Sequence, residues 1–284
     1  MKTRSKTLII GCGYIGLPLA LQLQEKGHEV SGWVRSATTA ASLAGHRLHR
    51  IITGSVGDPL TWKKAGDDYD LAIHCASSGR GGVEAYQEVF KEGGSLLNRH
   101  LAQARRLFVS STSVYGETKG EIVTEKTLPH PPTMTGKILS MAELDALLSG
   151  ATVVRSSGIY GPKRGVLFDK FCRGEAVIEG DGSHWMNLIH QRDLVAALVH
   201  LITSGAPGEI YNATDDTPVT QLEFYQWCSE FLHQPLPPHG PVNLHRKRGM
   251  TSKRVSNAKL RTTGWKPVYP SFREGLAADH AGRL

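Results

Sequence analysis

No stretch of the 284-residue chain holds the roughly 18 consecutive apolar residues that a membrane-spanning helix needs. Cysteine is scarce: Cys12, Cys75, Cys172 and Cys228 lie far apart with no CxxC spacing. That scatter excludes a disulfide frame and a cysteine-built zinc site, and it predicts reduced thiols in a cytoplasmic protein. The chain lacks low-complexity linkers, and its only internal repetition is an alternation of strands and helices. It also lacks a helix-turn-helix, an RNP-like motif and aromatics interleaved with its basic residues. The formal charge of +7 is therefore read as a solvated surface or an anion-binding pocket before a nucleic-acid patch. Basic residues gather at His245-Arg246-Lys247-Arg248 and again at Lys253, Arg254, Lys259 and Arg261. The start imitates a signal peptide, with Lys2, Arg4 and Lys6 before Leu8-Ile9-Ile10. Gly11, Gly13 and Gly16 break the run, and Gln22, Gln24, Glu25 and Lys26 follow, which suits a strand and a helix better.

Apolar residues make up 40% of the chain and charged residues 21%, enough for a well-filled core. Short apolar runs predict parallel strands at 7–11, 30–34, 49–53, 71–75, 106–110 and 152–155. Helices are predicted from the glycine-rich turn to about Lys26, over 83–104 and over 140–148, with Pro129, Pro131 and Pro132 marking a loop. After about residue 160 glycine and proline become frequent, with helices predicted at 194–203 and 221–233 and a strand at 209–213. The pattern is α/β, a doubly wound parallel sheet (Rossmann fold) with a small C-terminal substrate lobe. The expected division is a dinucleotide-binding domain over 1–160, with 187–213 packing back on it, and a substrate lobe over 161–284. The site is expected between the two, at the carboxyl ends of the strands.

Gly11-Cys12-Gly13-Tyr14-Ile15-Gly16 is a G-x-G-x-x-G that follows a predicted strand and opens a helix. In that context Gly11 serves a tight turn, Gly13 lets backbone approach a pyrophosphate, and Gly16 lets the helix pack on the strand. Cys12 sits where a helix start can depress a thiol pKa, although a small loop residue is the plainer interpretation. An enzyme that holds a free ribose 2′-hydroxyl usually ends its second strand in Asp or Glu. Here that strand ends Trp33-Val34-Arg35-Ser36. A cation there suits a 2′-phosphate, so NADP(H) is expected ahead of NAD(H).

Val109-Ser110-Ser111-Thr112-Ser113-Val114-Tyr115-Gly116 resembles the SSxxVYG segment of extended short-chain dehydrogenases/reductases, the NAD-dependent epimerase/dehydratase family. Asp70–Ala76 resembles that family's fourth-strand turn, and Val154–Pro162 its R..gvYGP signature. Asn187–Leu194 resembles fIHvdDl, and Ile210–Ala213 resembles iyNv. The match runs in the family's order over about residues 7–276. The resemblance implies cofactor contacts from Gly11, Gly13, Tyr14, Ile15, Gly16, Arg35, Ser36, Cys75, Ala76 and Ser77. It places Ser111 at the family's Ser/Thr position. The family's Tyr-x-x-x-Lys is missing. If Lys137 is the family lysine, Thr133 stands in the tyrosine's place; if Glu143 sets the register, the pair is Thr135 and Leu139. A threonine hydroxyl is far too weak an acid to replace an activated phenol. Ser111, Lys137 and Tyr115 are the catalytic candidates, with Tyr160, His184 and His190 as further candidates for the proton donor.

The resemblance implies a cytoplasmic oxidoreductase, epimerase/dehydratase-like, acting on a small-molecule substrate, an anionic one included, with no nucleic-acid, membrane or metal partner. A cofactor-binding sensor or interaction protein without turnover is the competing interpretation. Sugar-nucleotide enzymes of the family usually carry an arginine where this chain has Met186, which points away from a nucleotide sugar.

Overall fold

The computed structural model describes residues 5–79, 81–243 and 251–282. The basic cluster at 245–248 lies outside the described residues. The chain divides into two compact units. One comprises Met1–Val114, Thr133–Arg155 and Val195–Tyr211; the other comprises Tyr115–Pro132, Ser156–Leu194 and Asn212–Leu284.

The first unit is built on a seven-stranded sheet of β1 (Lys6–Ile10), β2 (Glu29–Val34), β3 (Arg50–Thr53), β4 (Leu71–His74), β5 (Arg105–Ser111), β7 (Thr152–Ser156) and β12 (Ile210–Ala213). Their order is β12-β7-β5-β4-β1-β2-β3. β1 pairs in parallel with both β2 and β4, and the chain winds outward from this pair in both directions. That reversal is the switch point at which ligands of doubly wound sheets bind. Leu8, Ile9, Ile10, Trp33, Ile73, Leu107 and Val153 are buried, as strands covered on both faces require.

Helices α1 (Gly16–Glu25), α2 (Ala37–Leu43), α3 (Pro59–Ala65), α4 (Val83–Tyr86), α5 (Gly93–His100), α6 (Met134–Leu148) and α8 (Gln191–Ser204) belong wholly or mainly to this unit. Two of them depart from the pattern expected of the sequence. The single helix expected over 83–104 is interrupted by a π-helical turn at Gln87–Glu92 and ends at His100. The Val89 carbonyl in that turn accepts a hydrogen bond from buried His74 Nε2, 3.1 Å away. Helix α6 starts six residues before the expected Ser140, because Thr133 caps it by accepting from the Gly136 amide at 3.1 Å.

Glu143 of α6 is the polar anchor of this layer. It is 1% exposed and ion-paired with the equally buried Arg155 of β7, Nη2 to Oε2 at 2.7 Å. Arg155 Nε adds contacts of 3.1 and 3.2 Å, and the Ser110 hydroxyl of β5 donates to Oε1. One carboxylate thus ties α6 to two strands.

The second unit carries four two-stranded pairs: β6 (Glu121–Val123) with β15 (Lys253–Val255), β8 (Gly158–Tyr160) with β11 (Leu188–His190), β9 (Ile178–Glu179) with β14 (His239–Gly240), and β10 (Trp185–Met186) with β13 (Val219–Thr220). Helices α7 (Val166–Cys172), α9 (Gln221–Leu232), α10 (Ala258–Thr262) and α11 (Phe272–Ala281) complete it. Capping boxes start α9 at Thr220/Glu223 and α11 at Ser271/Glu274. Its core is aromatic, with Tyr160, Phe168, Phe171, Phe224, Tyr225 and Phe272 in one cluster. Beside the core lie several acids. Asp193 accepts from the Val268 and Tyr269 amides, while Asp215 is 2% exposed and its Oδ2 has no partner among the described residues. Burial, with help from Asp216, Asp193 and Glu274, pushes the Asp215 carboxyl up to about 8.

Two outcomes follow for stability. Glu143→Ala should cost on the order of 3–5 kcal/mol in urea unfolding, because it leaves a buried guanidinium without its carboxylate. The double variant Glu143→Leu/Arg155→Met should lose less than that single variant; a larger loss would show the pair to be net stabilising. The raised Asp215 carboxyl binds its proton more tightly folded than unfolded. Its contribution is therefore fully present below about pH 4 and is lost as the pH rises towards 8. Asp215→Asn, which mimics the protonated form, should flatten that fall and raise stability at pH 9 by at least about 1.4 kcal/mol, the equivalent of one pKa unit. Parallel pH-dependent melting curves for the two proteins check this.

Candidate active site

The turn after β1 leaves almost no space. Gly11 has φ +89°, and a β-carbon there would lie 2.4 Å from the backbone of Ala76, which follows β4. Its amide and that of Cys12 donate to the Trp33 carbonyl near the end of β2, at 3.0 and 2.8 Å, and Cys75 donates to Ile10 at 2.7 Å. A β-carbon at Gly16 would lie 2.2 Å from the Gly11 carbonyl oxygen, so α1 can pack against the turn only through a glycine. Gly13 differs from both: a β-carbon there would meet nothing within 4 Å. Its backbone borders open space beside the start of α1, and that helix has no side-chain cap at Ile15 and no acidic residue in its first turn. This is a cradle suited to phosphate, with accessible backbone and the positive end of a ten-residue helix.

Tyr14 is half-buried and Ile15 buried within the turn. Cys12 is a packed residue: burial pushes its thiol up to about 11, the opposite of an activated cysteine. Burial likewise holds the Cys75 thiol above its ordinary value. Ala76 is half-buried and Ser77 exposed, beyond the end of β4. Arg35 and Ser36 are exposed after Val34 closes β2. The Ser36 hydroxyl caps α2 by accepting from the Thr39 amide at 3.2 Å, whereas Arg35 has no acidic neighbour in sequence.

Ser111 ends β5. Its oxygen accepts from the Ser113 amide at 3.2 Å, which leaves its proton available to donate. Ser110 is spent on Glu143. Lys137 is exposed in the first turn of α6, the unfavourable end of the helix dipole for a cation. Neither Thr133 nor Thr135 resembles an acid. Thr133 is the α6 cap, Thr135 lies 3.2 Å from its hydroxyl, and Leu139 is buried.

The remaining aromatic and histidine candidates all belong to the second unit. Tyr115 is fully buried, with its hydroxyl 2.9 Å from both the Thr124 carbonyl and Asn212 Oδ1. Such a phenol braces the chain. Tyr160 is a core residue with its hydroxyl on the Ser271 carbonyl at 3.3 Å, and burial drives its pKa further up. His190 accepts from the Arg192 amide through Nδ1 and lies 3.4 Å from Asp279 through Nε2, so its ring is oriented by structure. His184 is half-buried ahead of β10.

Two polar residues of this second unit, Glu117 and Lys253, escaped sequence reasoning as a pair. Lys253 stands out in the sequence only as a member of a basic cluster and Glu117 does not stand out, since only the pairing of β6 with β15 brings their neighbourhoods together. His74 escaped as well; fully buried and pushed down to about 4, it is a neutral strut at the end of β4.

The model of the NAD-dependent epimerase/dehydratase family matches residues 7–214. The chain is 31% identical to protein YeeZ of Escherichia coli strain K12 over 242 residues, covering 80% of this chain and 84% of YeeZ. It is 26% identical to a 3-diazoavenalumate denitrifying reductase of a Streptomyces species, covering 96% of this chain and all of the reductase. Its fold is similar to that of the UDP-glucuronic acid 4-epimerase of Bacillus cereus, solved with UDP-glucuronic acid and NAD, with a TM-score of 0.80 at 19% identity over 97% of this chain and 98% of the epimerase. With the match spanning the whole doubly wound sheet, the chain belongs to the NAD-dependent epimerase/dehydratase family.

Proposed function

We propose that this protein is an NADP(H)-dependent oxidoreductase that acts on a small organic substrate without the family's tyrosine. The observation that carries the proposal is the contrast within the glycine turn. Gly11 and Gly16 are jammed against backbone, while Gly13 faces open space at an uncapped helix start. Gly11, Gly13, Tyr14, Ile15 and Gly16 would hold the pyrophosphate, and Cys75, Ala76 and Ser77 would border the adjoining ribose. Arg35 would pair with a 2′-phosphate, and the absence of a carboxylate at Val34 leaves nothing to repel it. When bound, the nicotinamide supplies or accepts a hydride. The near-complete coverage of the Streptomyces reductase supports redox chemistry in this chain.

Ser111 donates its hydroxyl proton in a hydrogen bond to the substrate oxygen and stabilises charge developing there. It cannot release that proton at neutral pH, so another group or water completes the transfer. Lys137 stands in the first turn of α6 with its amine exposed, able to meet the ribose or the substrate. Tyr115 has no part in this scheme, because its hydroxyl is buried on Thr124 and Asn212. A nucleotide sugar is disfavoured, since Met186 packs against the aromatic core of its unit and offers nothing to a diphosphate. The loss of the tyrosine position to a helix cap favours a second reading, a cofactor-binding protein without turnover.

Fluorescence titration should find NADPH bound about tenfold or more tighter than NADH, the effect of one charge-assisted pair. Arg35→Ala should erase the difference and leave NADH affinity nearly unchanged; equal affinities in the unmodified protein refute the cofactor assignment. In single-turnover NADPH oxidation with a substrate found by screening, Ser111→Ala should slow the step by about 10²–10³-fold. Tyr115→Phe should keep the rate. The reverse pattern would transfer the role to the phenol, and unchanged NADPH binding with no turnover on any substrate would favour the sensor.

A further inference from the structure

Several arginines of this chain meet a carboxylate: Arg155 meets Glu143, Arg173 meets Glu175 at 2.9 Å, and Arg261 meets Asp216 at 3.7 Å. Arg254 differs. It is half-buried, and among the described residues its guanidinium makes one hydrogen bond, from Nε to the Gly120 carbonyl at 2.8 Å, and no ion pair. The acid on the paired strand, Glu121, turns its carboxylate back to the Lys119 amide at 2.8 Å. The two terminal nitrogens of Arg254, with two protons each, therefore have no acceptor among the described residues. Neither is among the polar atoms that the fold buries without a partner, so solvent reaches both.

The surrounding chain fixes the plane of that guanidinium. Arg254 is the middle residue of β15, between buried Lys253 and Val255, so its side chain leaves by the opposite face of the strand. There it lies over the half-buried Trp185 ring, 5.1 Å from the centroid, while Nε holds Gly120. Both partners are braced in turn. The Trp185 amide donates to the Ser252 hydroxyl at 3.0 Å, and the Gly120 amide donates to the Ser252 carbonyl at 2.9 Å. Asn187 clamps β15 from both ends, donating to the Lys253 carbonyl at 2.9 Å and accepting from the Val255 amide at 2.7 Å. Gly120 has φ +77°, and a β-carbon there would lie 2.8 Å from Trp185 Nε1, so glycine lets the indole and the accepting carbonyl share this place. Stacking and the Nε bond together hold the guanidinium and leave free the edge that carries its two terminal nitrogens.

We propose that Arg254, set in place by Trp185 and Gly120, is a binding site for a carboxylate, which it takes end-on through its two terminal nitrogens. A guanidinium pairs with a planar oxyanion by two parallel N–H···O bonds, and the pair is strongest where the plane of the fork is already fixed. Here the indole covers one face and the Gly120 carbonyl holds Nε, so binding orders little that is not ordered already. No carboxylate of the described residues competes for the free edge, and the single positive charge matches the single negative charge of a carboxylate. Naming the carboxylate as part of the substrate rests on the enzyme reading above and narrows it to an organic acid; the anion site itself does not rest on that reading.

Three probes test this: acetate, its neutral isostere acetamide, and inorganic phosphate. They are titrated without cofactor into protein carrying ¹⁵N-labelled tryptophan, with chloride holding the ionic strength constant. Trp185 is one of five tryptophans, and Trp185→Phe assigns its indole resonance. Acetate should shift that resonance to saturation and bind at least about tenfold more tightly than acetamide, the factor carried by one hydrogen bond to a charged group. Arg254→Lys, which keeps the charge and gives up the fork, should weaken acetate by a similar factor, and Arg254→Gln should abolish the shift. The remaining indole resonances report whether each variant is folded, and the comparison of probes in the unmodified protein decides even where a variant is not. Absence of a saturable shift with acetate overturns the proposal, as does acetamide binding as tightly as acetate or an unchanged acetate affinity in Arg254→Lys. Phosphate binding more tightly than acetate overturns the assignment to a carboxylate. Because cofactor is absent, a failed NADPH titration and a failed acetate titration remain separate results.

Discussion

The first unit is organised around a place where a side chain cannot exist. Three backbone segments meet at Gly11: the end of β1, the end of β4 through Ala76, and the start of α1 through Gly16. The amides of Gly11 and Cys12 also engage the end of β2. This knot sets how closely the helix approaches the sheet, and so where its N-terminus points. It also explains why Gly13 can stay open: the turn is held at its flanks, and its middle is free to face a ligand. The strand order places the knot at the one point of the sheet where the winding reverses.

Polar groups do comparable work deeper in the structure. Glu143 spends both oxygens on Arg155 and Ser110, so α6 is registered against β5 and β7 by a directional contact that apolar packing alone would leave looser. The residue at the end of β5, Ser111, inherits its position from this arrangement, because its neighbour Ser110 is one of the partners. The same helix has a polar cap at its start. Thr133 there satisfies a backbone amide, a task for which its weak acidity is irrelevant.

The second unit relies on a different economy. Its strands are short and come in pairs, and its core is mainly aromatic. It tolerates buried acids such as Asp193 and Asp215 because backbone amides from Val268, Tyr269 and Thr217 face them.

The sequence by itself determined what depends on short-range pattern: the alternation of buried strands and helices, the glycine spacing of the first turn, and the absence of an acidic residue after β2. These are set by side-chain periodicity and by backbone freedom within a few residues, so they can be read locally. The tertiary structure alone decided the rest. The π-helical turn at Gln87–Glu92, whose Val89 carbonyl meets His74 of a separate strand, interrupts a stretch whose local pattern is continuously helical. Tyr115 left the reactive candidates because Thr124 and Asn212 claim its hydroxyl, and no reading of Val114-Tyr115-Gly116 alone foretells that. Tyr115–Pro132 belongs with Asn212–Leu284 because β6 pairs with β15, a contact between segments far apart in the chain. The Ser252 amide reached the Glu117 carbonyl beside the same pairing. Local sequence encodes which conformations each segment prefers, whereas burial and the partners of a polar atom exist only once distant segments have met.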